Sequence, residues 1–396
     1  MRTSVERPGI STGSLREQVR ATFRRSYGLE AVMICAPGRI NLIGEHTDYN
    51  DGFALPGAVD LAVWLAMRPR TDGKVRILSI GMHRSYEGAL SEVSRGSGSW
   101  PKYVLGVVNV VQQRSRKITG FDLVYGSDIP SGTGLSSSSA LACGLILGLD
   151  AIFQLGTSRQ HIASLARLAE EEYVGTRSGC MDPNAIIFGA PSKVLFLDSR
   201  DASHVLIPFP EHAATVVLCD SQAERTGAAE QYNVRRAQCQ TGVAVLRKFE
   251  PRVSSLRDVS AAMLARHAAQ LPPTLLKRCE FVVSENRRVV EAADALARRD
   301  MHCVGKLMLE SHEGARRQYE VSCRELDLLV TAAATHPGTL GARMMGTGFG
   351  GCTVNLVKPD ALASFIEHMT RTFEERLGRH AAIYPCSLAR GVHVVA

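Results

Sequence analysis

The segment from Ile129 to Ala140 constrains the fold of this chain more than any other, because it sets two glycines and a run of four serines directly before a long apolar run. Gly132 and Gly134 let the backbone bend with its N–H groups pointing inward, as phosphate-binding loops require. If Ser136 or Ser137 caps the following helix, the loop lies at the positive end of the helix dipole. A Gly/Ser-rich turn with an ordinary serine N-cap explains the same residues. The segment alone therefore predicts either a phosphate cradle or a turn.

Length and charge narrow the class of protein. At 396 residues the chain is too long for one small core, and we expect two domains, 1–200 and 201–396. The net charge of +7 with scattered arginines gives little support for a nucleic-acid partner. The apolar run after the cradle is shorter than the ~20 residues that a membrane span needs. We therefore expect neither nucleic-acid binding nor membrane insertion.

The cysteines point to the cellular compartment. Ten are present without a C-x-x-C pair, and most lie in apolar runs, which is typical of small core residues in a reducing compartment and not of a zinc site or disulfide framework. The N-terminus has no apolar signal core, and Glu6 and Glu17 interrupt its Arg- and Ser-containing stretch. We expect a cytoplasmic protein.

Helical and strand-like patterns are both present along the whole chain. Ser14-Leu15-Arg16-Glu17 is a capping-box pattern that predicts a first helix ending near Tyr27. In addition to this helix and the helix after the cradle, we expect helices at 101–111, 158–172, 228–249, 274–298, 301–312 and 322–335. We expect strands at 31–36, 61–67, 75–79, 121–125, 193–197, 215–219, 342–345, 352–357 and 381–384.

Residues 38–52 place Arg, Glu, His and Asp side chains between glycines, in a segment that should turn away from the end of a strand. So many hydrogen-bonding groups on one loop suit a polyhydroxylated ligand such as a sugar, because each unpaired buried polar group costs about 1–3 kcal/mol. A solvated loop with an Asx-type turn is the alternative.

Two glycine-rich segments and this loop together resemble a known family. GRINLIGEHTDYN at 38–50 resembles the signature of galactokinases, within the superfamily of galactokinase, homoserine kinase, mevalonate kinase and phosphomevalonate kinase (GHMP kinases). The cradle resembles the second superfamily motif, and 346–352 resembles the third. The resemblance implies an α+β, two-domain GHMP-kinase fold with a ferredoxin-like second domain and the active site at the domain interface.

The third motif has two competing interpretations. Gly346, Gly348 and Gly351 also satisfy G-x-G-x-x-G, but a dinucleotide fingerprint should open a helix, whereas residues 352–357 continue as a strand pattern. We expect a glycine turn that brings backbone close to phosphates or sugar. A plain hairpin turn is the alternative.

The resemblance implies catalytic roles for Asp182 and Arg39. Asp182, in Gly179-Cys180-Met181-Asp182, would take the proton of the anomeric hydroxyl while that oxygen attacks the γ-phosphate of ATP, and Arg39 would offset developing charge. Asp182 before Pro183 is also a good helix N-cap, so a structural role is the alternative. Galactokinases usually carry Gln where this chain has Pro183, and Asn184 departs from the family pattern as well.

Further site residues follow from the same resemblance. Sugar-binding residues would be Glu45, His46, Asp48, Gly179 and Tyr232. ATP-binding residues would be Gly132, Gly134, Leu135, Ser136, Ser137, Ser138, Ser139 and Trp100. Mg²⁺ would be held by Ser138 and Glu170. Simple core packing of Tyr232 and solvation of Glu170 are the alternatives.

The sequence thus predicts an ATP-dependent galactokinase that phosphorylates the anomeric hydroxyl of D-galactose without a phosphoenzyme. Its partners would be only sugar and ATP, and it would act as a monomer. A kinase for a related sugar, of the N-acetylgalactosamine or arabinose type, is one alternative. A catalytically silent sugar and ATP sensor on the same fold is another, although Ser138, Ser139 and Ala140 are all present.

Overall fold

The computed structural model describes residues 14–28, 30–95, 100–115, 117–173, 175, 179–225 and 227–395. Its helices are α1 (Leu15–Tyr27), α2 (Lys102–Gln112), α3 (Ser137–Phe153), α4 (Arg159–Tyr173), α5 (Met181–Phe188), α6 (Ala228–Arg247), α7 (Ala261–Arg266), α8 (Pro273–Ala297), α9 (Met301–Gly314), α10 (Arg324–Thr335) and α11 (Leu362–Thr372). Within these described ranges, no helix is both long and apolar enough to cross a membrane.

The strands are β1 (Val32–Asn41), β2 (Phe53–Ala54), β3 (Pro56–Pro69), β4 (Lys74–Ser79), β5 (Arg84–Ala89), β6 (Phe121–Ser127), β7 (Lys193–Asp198), β8 (Ser203–Pro208), β9 (Thr215–Asp220), β10 (Thr339–Met344), β11 (Cys352–Val357), β12 (Ile383–Cys386) and β13 (His393–Val395). They form sheets with the orders β13-β1-β3-β6-β4-β5, β10-β11-β9-β12 and β2-β7-β8. Apart from the parallel pair β4–β6, neighbouring strands are antiparallel. The predicted α+β class is confirmed.

Helix α1 begins and ends as predicted. The Ser14 backbone N–H donates to the Glu17 carboxylate over 3.2 Å, and Ser14 Oγ accepts from the Glu17 N–H, which completes the capping box. Gly28 follows in the left-handed conformation. Val19 and Phe23 are fully buried against the outer face of the six-stranded sheet. Burying a side chain such as Phe23 stabilises the fold by about 1.5–3 kcal/mol.

Helix α3 covers the inner face of that sheet at close range. A Cβ at Gly144 would lie 2.7 Å from Leu65 Cδ1, and a Cβ at Gly148 would lie 2.3 Å from Met67 Sδ. Only glycine permits this approach, so the helix is held directly against β1 and β3. This contact fixes the position of the N-terminus of α3, where the predicted cradle ends.

The predicted halves of the chain are not separate in the structure, because strands on either side of residue 200 pair with each other. The predicted boundary at residue 200 falls in the turn of the β7–β8 hairpin, and β13, from the end of the chain, pairs with β1. The division into 1–200 and 201–396 stays a proposal. Elements β2, β5, β8, β13, α7 and α11 were not predicted from the sequence.

Candidate active site

The cradle is a tight loop between β6 and α3. Gly132 and Gly134 adopt φ of +78° and +79°, and Ser136 is also left-handed at +57°. Ser136 occupies the N-cap position of α3, but its side chain makes no capping hydrogen bond. Its hydroxyl donates instead to a carboxylate oxygen of Asp182. The prediction that a serine side chain caps this helix is therefore wrong at Ser136, whose hydroxyl binds Asp182 and not the backbone of α3.

Arg39 and Asp182 form the central ion pair of the site. Arg39 Nε and Nη2 donate to the two carboxylate oxygens of Asp182 over 2.8 and 3.0 Å. Arg39 Nη1 also donates to the carbonyl of Gly134 in the cradle. Arg39, on β1, is buried, whereas the side chain of Asp182 remains 20% exposed. A bidentate pair of this kind fixes the carboxylate in orientation and leaves one side open to a ligand.

Asp182 is not a helix cap. Helix α5 starts at Met181, Cys180 occupies the N-cap position, and Asp182 lies within the first turn. The alternative that Asp182 serves as an N-cap is therefore wrong. Pro183 and Asn184 are buried inside the same helix, where Asn184 Nδ2 donates to the Cys180 carbonyl over 2.7 Å.

Glu45 links the signature loop to the third glycine motif. Its carboxylate accepts from the N–H of Gly346 over 2.8 Å and lies 3.4 Å from Arg343 Nη1. Burial raises the pKa of Glu45, while the guanidinium of Arg343 opposes this effect. Only 2% of Glu45 is exposed, so its contact with a ligand is confined to the cleft described below.

His46 and Tyr232 lie side by side, with ring centroids 5.5 Å apart. His46 Nε2 lies 3.2 Å from the carbonyl oxygen of Thr347. Burial lowers the pKa of His46 to about 3, so its ring is neutral at physiological pH. Tyr232, from α6, is buried and still lines the cleft, so core packing and ligand contact are compatible for this residue.

Asp48 lies against the backbone of Gly179. A Cβ at Gly179 would lie 2.0 Å from Asp48 Oδ2, so no other residue fits there without movement of the carboxylate. Burial raises the pKa of Asp48 to about 7, with further increases from the charges of Asp182 and Glu45. Asp48 thus titrates near neutrality, in a site that already holds other carboxylates.

Glu170 joins the start of α3 to α4. Its Oε1 accepts hydrogen bonds from the hydroxyls of Ser138 and Ser139 over 2.9 and 2.8 Å. Glu170 is buried and faces the cleft, so the alternative of a merely solvated carboxylate is wrong. One carboxylate and one hydroxyl beside the cradle match the small number of protein oxygens that Mg²⁺ takes when phosphates and water complete its shell.

The third glycine motif is the turn between β10 and β11, packed directly on the cradle. The Cys352 N–H donates to the Thr133 carbonyl over 3.1 Å, and a Cβ at Gly351 would lie 3.1 Å from the same oxygen. Strand β11 follows the motif, so the dinucleotide fingerprint is excluded by context. The motif is a hairpin turn and at the same time a wall of the site.

These groups enclose a cleft of about 230 Å³. Of the predicted site residues, it is lined by Arg39, Glu45, His46, Asp48, Gly132, Gly134, Leu135, Ser136, Ser137, Ser138, Glu170, Asp182 and Tyr232. Ser139 and Gly179 lie immediately behind this wall, against Glu170 and Asp48. Trp100 packs against the main hydrophobic core and is not on the wall.

Family models match three parts of the chain. The galactokinase galactose-binding signature matches residues 21–69, the GHMP kinases N-terminal domain matches residues 102–190, and the GHMP kinases C-terminal model matches residues 292–375. A galactokinase of Roseiflexus sp. (strain RS-1) is 40% identical over 384 residues, which cover 97% of this chain and 97% of that protein. The chain belongs to the galactokinase family. A galactokinase of Chloroflexus aggregans is 41% identical, covering 95% of this chain and 97% of its own.

Solved structures agree with this membership. The crystal structure of Lactococcus lactis galactokinase complexed with galactose superposes with a TM-score of 0.92 at 30% identity, covering 96% of this galactokinase-family chain and 99% of the other. Methanococcus jannaschii mevalonate kinase, at 19% identity and a TM-score of 0.66 over 91% of this chain and 99% of its own, shares the fold alone. The predicted family and GHMP-kinase fold are confirmed.

One cationic residue of this galactokinase-family site was missed from the sequence. Arg225 lines the cleft and donates to the Gly132 carbonyl over 3.2 Å and to Thr347 Oγ1. Burial lowers the pKa of Arg225, with a further decrease from Arg39. Its Nε is buried without a partner among the described residues. Arg225 belongs to none of the three motifs, so only the fold reveals it.

Proposed function

We propose that this protein is a galactokinase, which transfers the γ-phosphate of ATP to the anomeric hydroxyl of D-galactose. The observation that carries the proposal is the position of Asp182. It lies between the signature loop and the cradle, where Arg39 of the signature segment and Ser136 of the cradle both donate to its carboxylate. Family membership and the galactokinase galactose-binding signature at residues 21–69 support the choice of sugar.

In the proposed reaction, Asp182 accepts the proton of the anomeric hydroxyl while the sugar oxygen forms a bond to the γ-phosphorus. The bond between that phosphorus and the oxygen bridging to ADP breaks, and ADP leaves with the electron pair. Arg39 holds the carboxylate toward the cleft. Arg225, which donates to the Gly132 carbonyl of the cradle, brings a second guanidinium to the proposed phosphate region, where negative charge develops. No phosphoenzyme is required.

We propose that the sugar is held by Glu45, His46, Asp48, the Gly179 backbone and Tyr232. Carboxylates accept the hydroxyl hydrogens of a sugar, and the neutral His46 and the Tyr232 hydroxyl can donate to its oxygens. Asp48→Ala is expected to weaken galactose binding and selectivity between C4 epimers. An unchanged ratio of kcat/KM for galactose and glucose would remove Asp48 from the sugar site.

We propose that ATP phosphates lie in the cradle over the glycines and the start of α3, and that Trp100 lies near the adenine. Ser138 and Glu170 would hold Mg²⁺, which supplies charge neutralisation to the β- and γ-phosphates when bound. Within the described residues, Ser138 and Glu170 are already in contact through their side chains. To bind Mg²⁺, the Ser138 hydroxyl and the Glu170 carboxylate would exchange the hydrogen bond between them for bonds to the metal.

Two rival functions remain distinguishable by experiment. A coupled ADP-release assay with Mg-ATP over galactose, glucose, N-acetylgalactosamine and arabinose identifies a galactokinase by highest kcat/KM on galactose. A silent sensor would bind galactose without releasing ADP above the rate of ATP alone. Pro183 and Asn184, which depart from the family pattern, are absent from the wall of the cleft, which favours galactose over a related sugar.

We further propose that the protein is a monomer of the cytoplasm. None of the ten cysteines, all of which lie in the described ranges, forms a disulfide, as suits a reducing compartment. Size-exclusion chromatography with light scattering tests the oligomeric state, and a mass near 42.9 kDa is expected.

A further inference from the structure

A buried chain of hydrogen bonds runs from His46 into the second half of the molecule. His46 Nδ1 lies 2.7 Å from the hydroxyl of Tyr49, and that hydroxyl lies 2.8 Å from the hydroxyl of Tyr319. Tyr319 lies in turn 3.1 Å from Cys239 Sγ, on α6. Tyr319 and Cys239 are fully buried. The relay thus joins the signature loop to the core of the C-terminal half.

The direction of every bond in this relay follows from one carbonyl. The Thr347 oxygen can only accept, so His46 Nε2, at 3.2 Å, must carry the hydrogen. A neutral imidazole has one N–H, which makes Nδ1 an acceptor and requires Tyr49 to donate to it. Tyr49 oxygen then accepts from Tyr319.

The two ends of the relay have the protonation states that this direction requires. Burial lowers the pKa of His46 to about 3, and the nearby charges of Arg235 and Arg343 also disfavour its cationic form. Burial raises the pKa of Cys239 to about 11, so its thiol keeps a hydrogen to donate to Tyr319. No member of the relay has to change charge at neutral pH.

The loop backbone does not select the tautomer of His46. Its φ of +62° is held by Asn50, whose Nδ2 donates to the His46 carbonyl over 2.9 Å. These contacts fix where the ring lies but are equally satisfied by either tautomer. With hydrogen on Nδ1, however, the Nε2 lone pair would face the lone pairs of the Thr347 oxygen. The Thr347 carbonyl therefore selects hydrogen on Nε2, and Tyr49, by donating to Nδ1, supplies the partner that this tautomer needs.

We propose that Tyr49 and Tyr319 are positioning residues that hold the ring of His46 by pairing its Nδ1 acceptor, so that His46, in the Nε2–H tautomer set by Thr347, presents only a hydrogen-bond donor to a sugar hydroxyl. This inference rests on the proposed function, because it concerns how the same cleft reads galactose. The single Nε2 hydrogen faces either Thr347 or the sugar. A sugar without an acceptor at the facing position then leaves that donor unpaired and binds less tightly.

The first test is spectroscopic and needs no turnover. Selective ¹⁵N-histidine labelling of the full chain, with His46→Gln to assign the signal, reports which ring nitrogen carries hydrogen. The unsubstituted protein is expected to show hydrogen on Nε2 alone. Tyr49→Phe removes the donor to Nδ1 and is expected to shift the Nδ1 signal to that of an acceptor nitrogen without a hydrogen-bond partner, while hydrogen stays on Nε2. Hydrogen on Nδ1 in the unsubstituted protein overturns the proposal.

The second test is kinetic. In Tyr49→Phe, KM for galactose is expected to rise about fivefold to tenfold, as for the loss of one net hydrogen bond, while KM for ATP stays within twofold. Tyr319→Phe leaves the Tyr49 donor in place and should have a smaller effect. Tyr125→Phe is the control, because Tyr125 is a buried tyrosine of β6 outside the relay.

A double-mutant cycle separates positioning from general loosening of the fold. Gln at 46 carries its amide hydrogens whatever Tyr49 does, so Tyr49→Phe in the His46→Gln background should cause no further rise in KM for galactose. Additive effects would overturn the proposal, as would equal effects of Tyr49→Phe and Tyr125→Phe. Absence of galactose turnover in the unsubstituted protein would instead reject the proposed function and leave the ¹⁵N result standing.

Discussion

Replacing Asp182 with Asn tests the central assignment while preserving the shape of the side chain. The substitution removes the proposed proton acceptor and the negative charge that pairs with Arg39 through two hydrogen bonds of 2.8 and 3.0 Å. Loss of a positioned general base costs about 10²–10⁴ in rate. We therefore expect kcat to fall by at least about a hundredfold, with dissociation constants for galactose and ATP changed far less.

Alanine at the same position would confuse catalysis with stability. Arg39 is only 4% exposed, and removing one partner of a buried ion pair costs about 3–5 kcal/mol because the remaining charge is uncompensated. Asparagine keeps one oxygen for Arg39 and for the hydroxyl of Ser136, so a smaller loss of stability is expected. Thermal unfolding of both variants separates the two effects.

The assay is coupled ADP release at saturating galactose and Mg-ATP, with binding measured separately by calorimetry. Asp198→Asn is the matched control, because Asp198 also pairs with an arginine, Arg257, at 3.1 Å and similar exposure, but outside the cleft. Control activity should stay within twofold of the unsubstituted protein. Turnover of Asp182→Asn within tenfold of that protein would refute the base assignment.

Three further predictions concern charge. The pKa of Asp48 is about 7, and sugar hydroxyls favour its ionised form, so KM for galactose should fall roughly tenfold from pH 6 to pH 8. Asp48→Asn should flatten this pH profile of KM. A pH profile that the substitution leaves unchanged would exclude Asp48 as its cause. Arg225→Met should lower kcat/KM for ATP by about 10- to 100-fold, with partial recovery in Arg225→Lys; equal activity of all three proteins would remove Arg225 from the phosphate site. Asp122 is fully buried and accepts hydrogen bonds of 2.6 Å from both Arg68 and Arg76. Asp122→Asn should therefore lower the free energy of unfolding of the protein by about 3–5 kcal/mol. Chemical denaturation checks this, and KM for galactose should not change.

Local patterns made much of the fold predictable from sequence. The capping box at Ser14 correctly placed α1, and Ser158, the first residue of the helix predicted at 158–172, accepts from the His161 N–H over 3.2 Å at the start of α4. The elements that were missed are short or depend on distant partners. Strand β13 is three residues long and forms because it pairs with the edge of β1. A pattern of three residues is too short to predict a pairing partner that is distant in sequence.

The site was predictable where its residues lie in glycine-framed motifs, and not where the fold brings in a single side chain. Arg39, Glu45 and Asp48 occur within ten consecutive residues of one motif, so the concentration of charged side chains was visible in the sequence. Arg225 comes from an unremarkable stretch before α6, and its role depends on contacts with Gly132 and Thr347 that are 93 and 122 residues away in sequence.

The position of the signature loop shows why both halves of the chain are needed for one site. Glu285, on α8, is fully buried and accepts from the Gly44 N–H over 3.0 Å, and Asn286 accepts from the Phe53 N–H over 3.0 Å. The signature loop is thereby held at both ends by one helix from the second half. The same half supplies the turn that touches the cradle at Thr133. Because α8 holds the signature loop whereas the β10–β11 turn contacts the cradle, displacement of α8 would move the proposed sugar site relative to the proposed phosphate site, and in-line transfer depends on that distance.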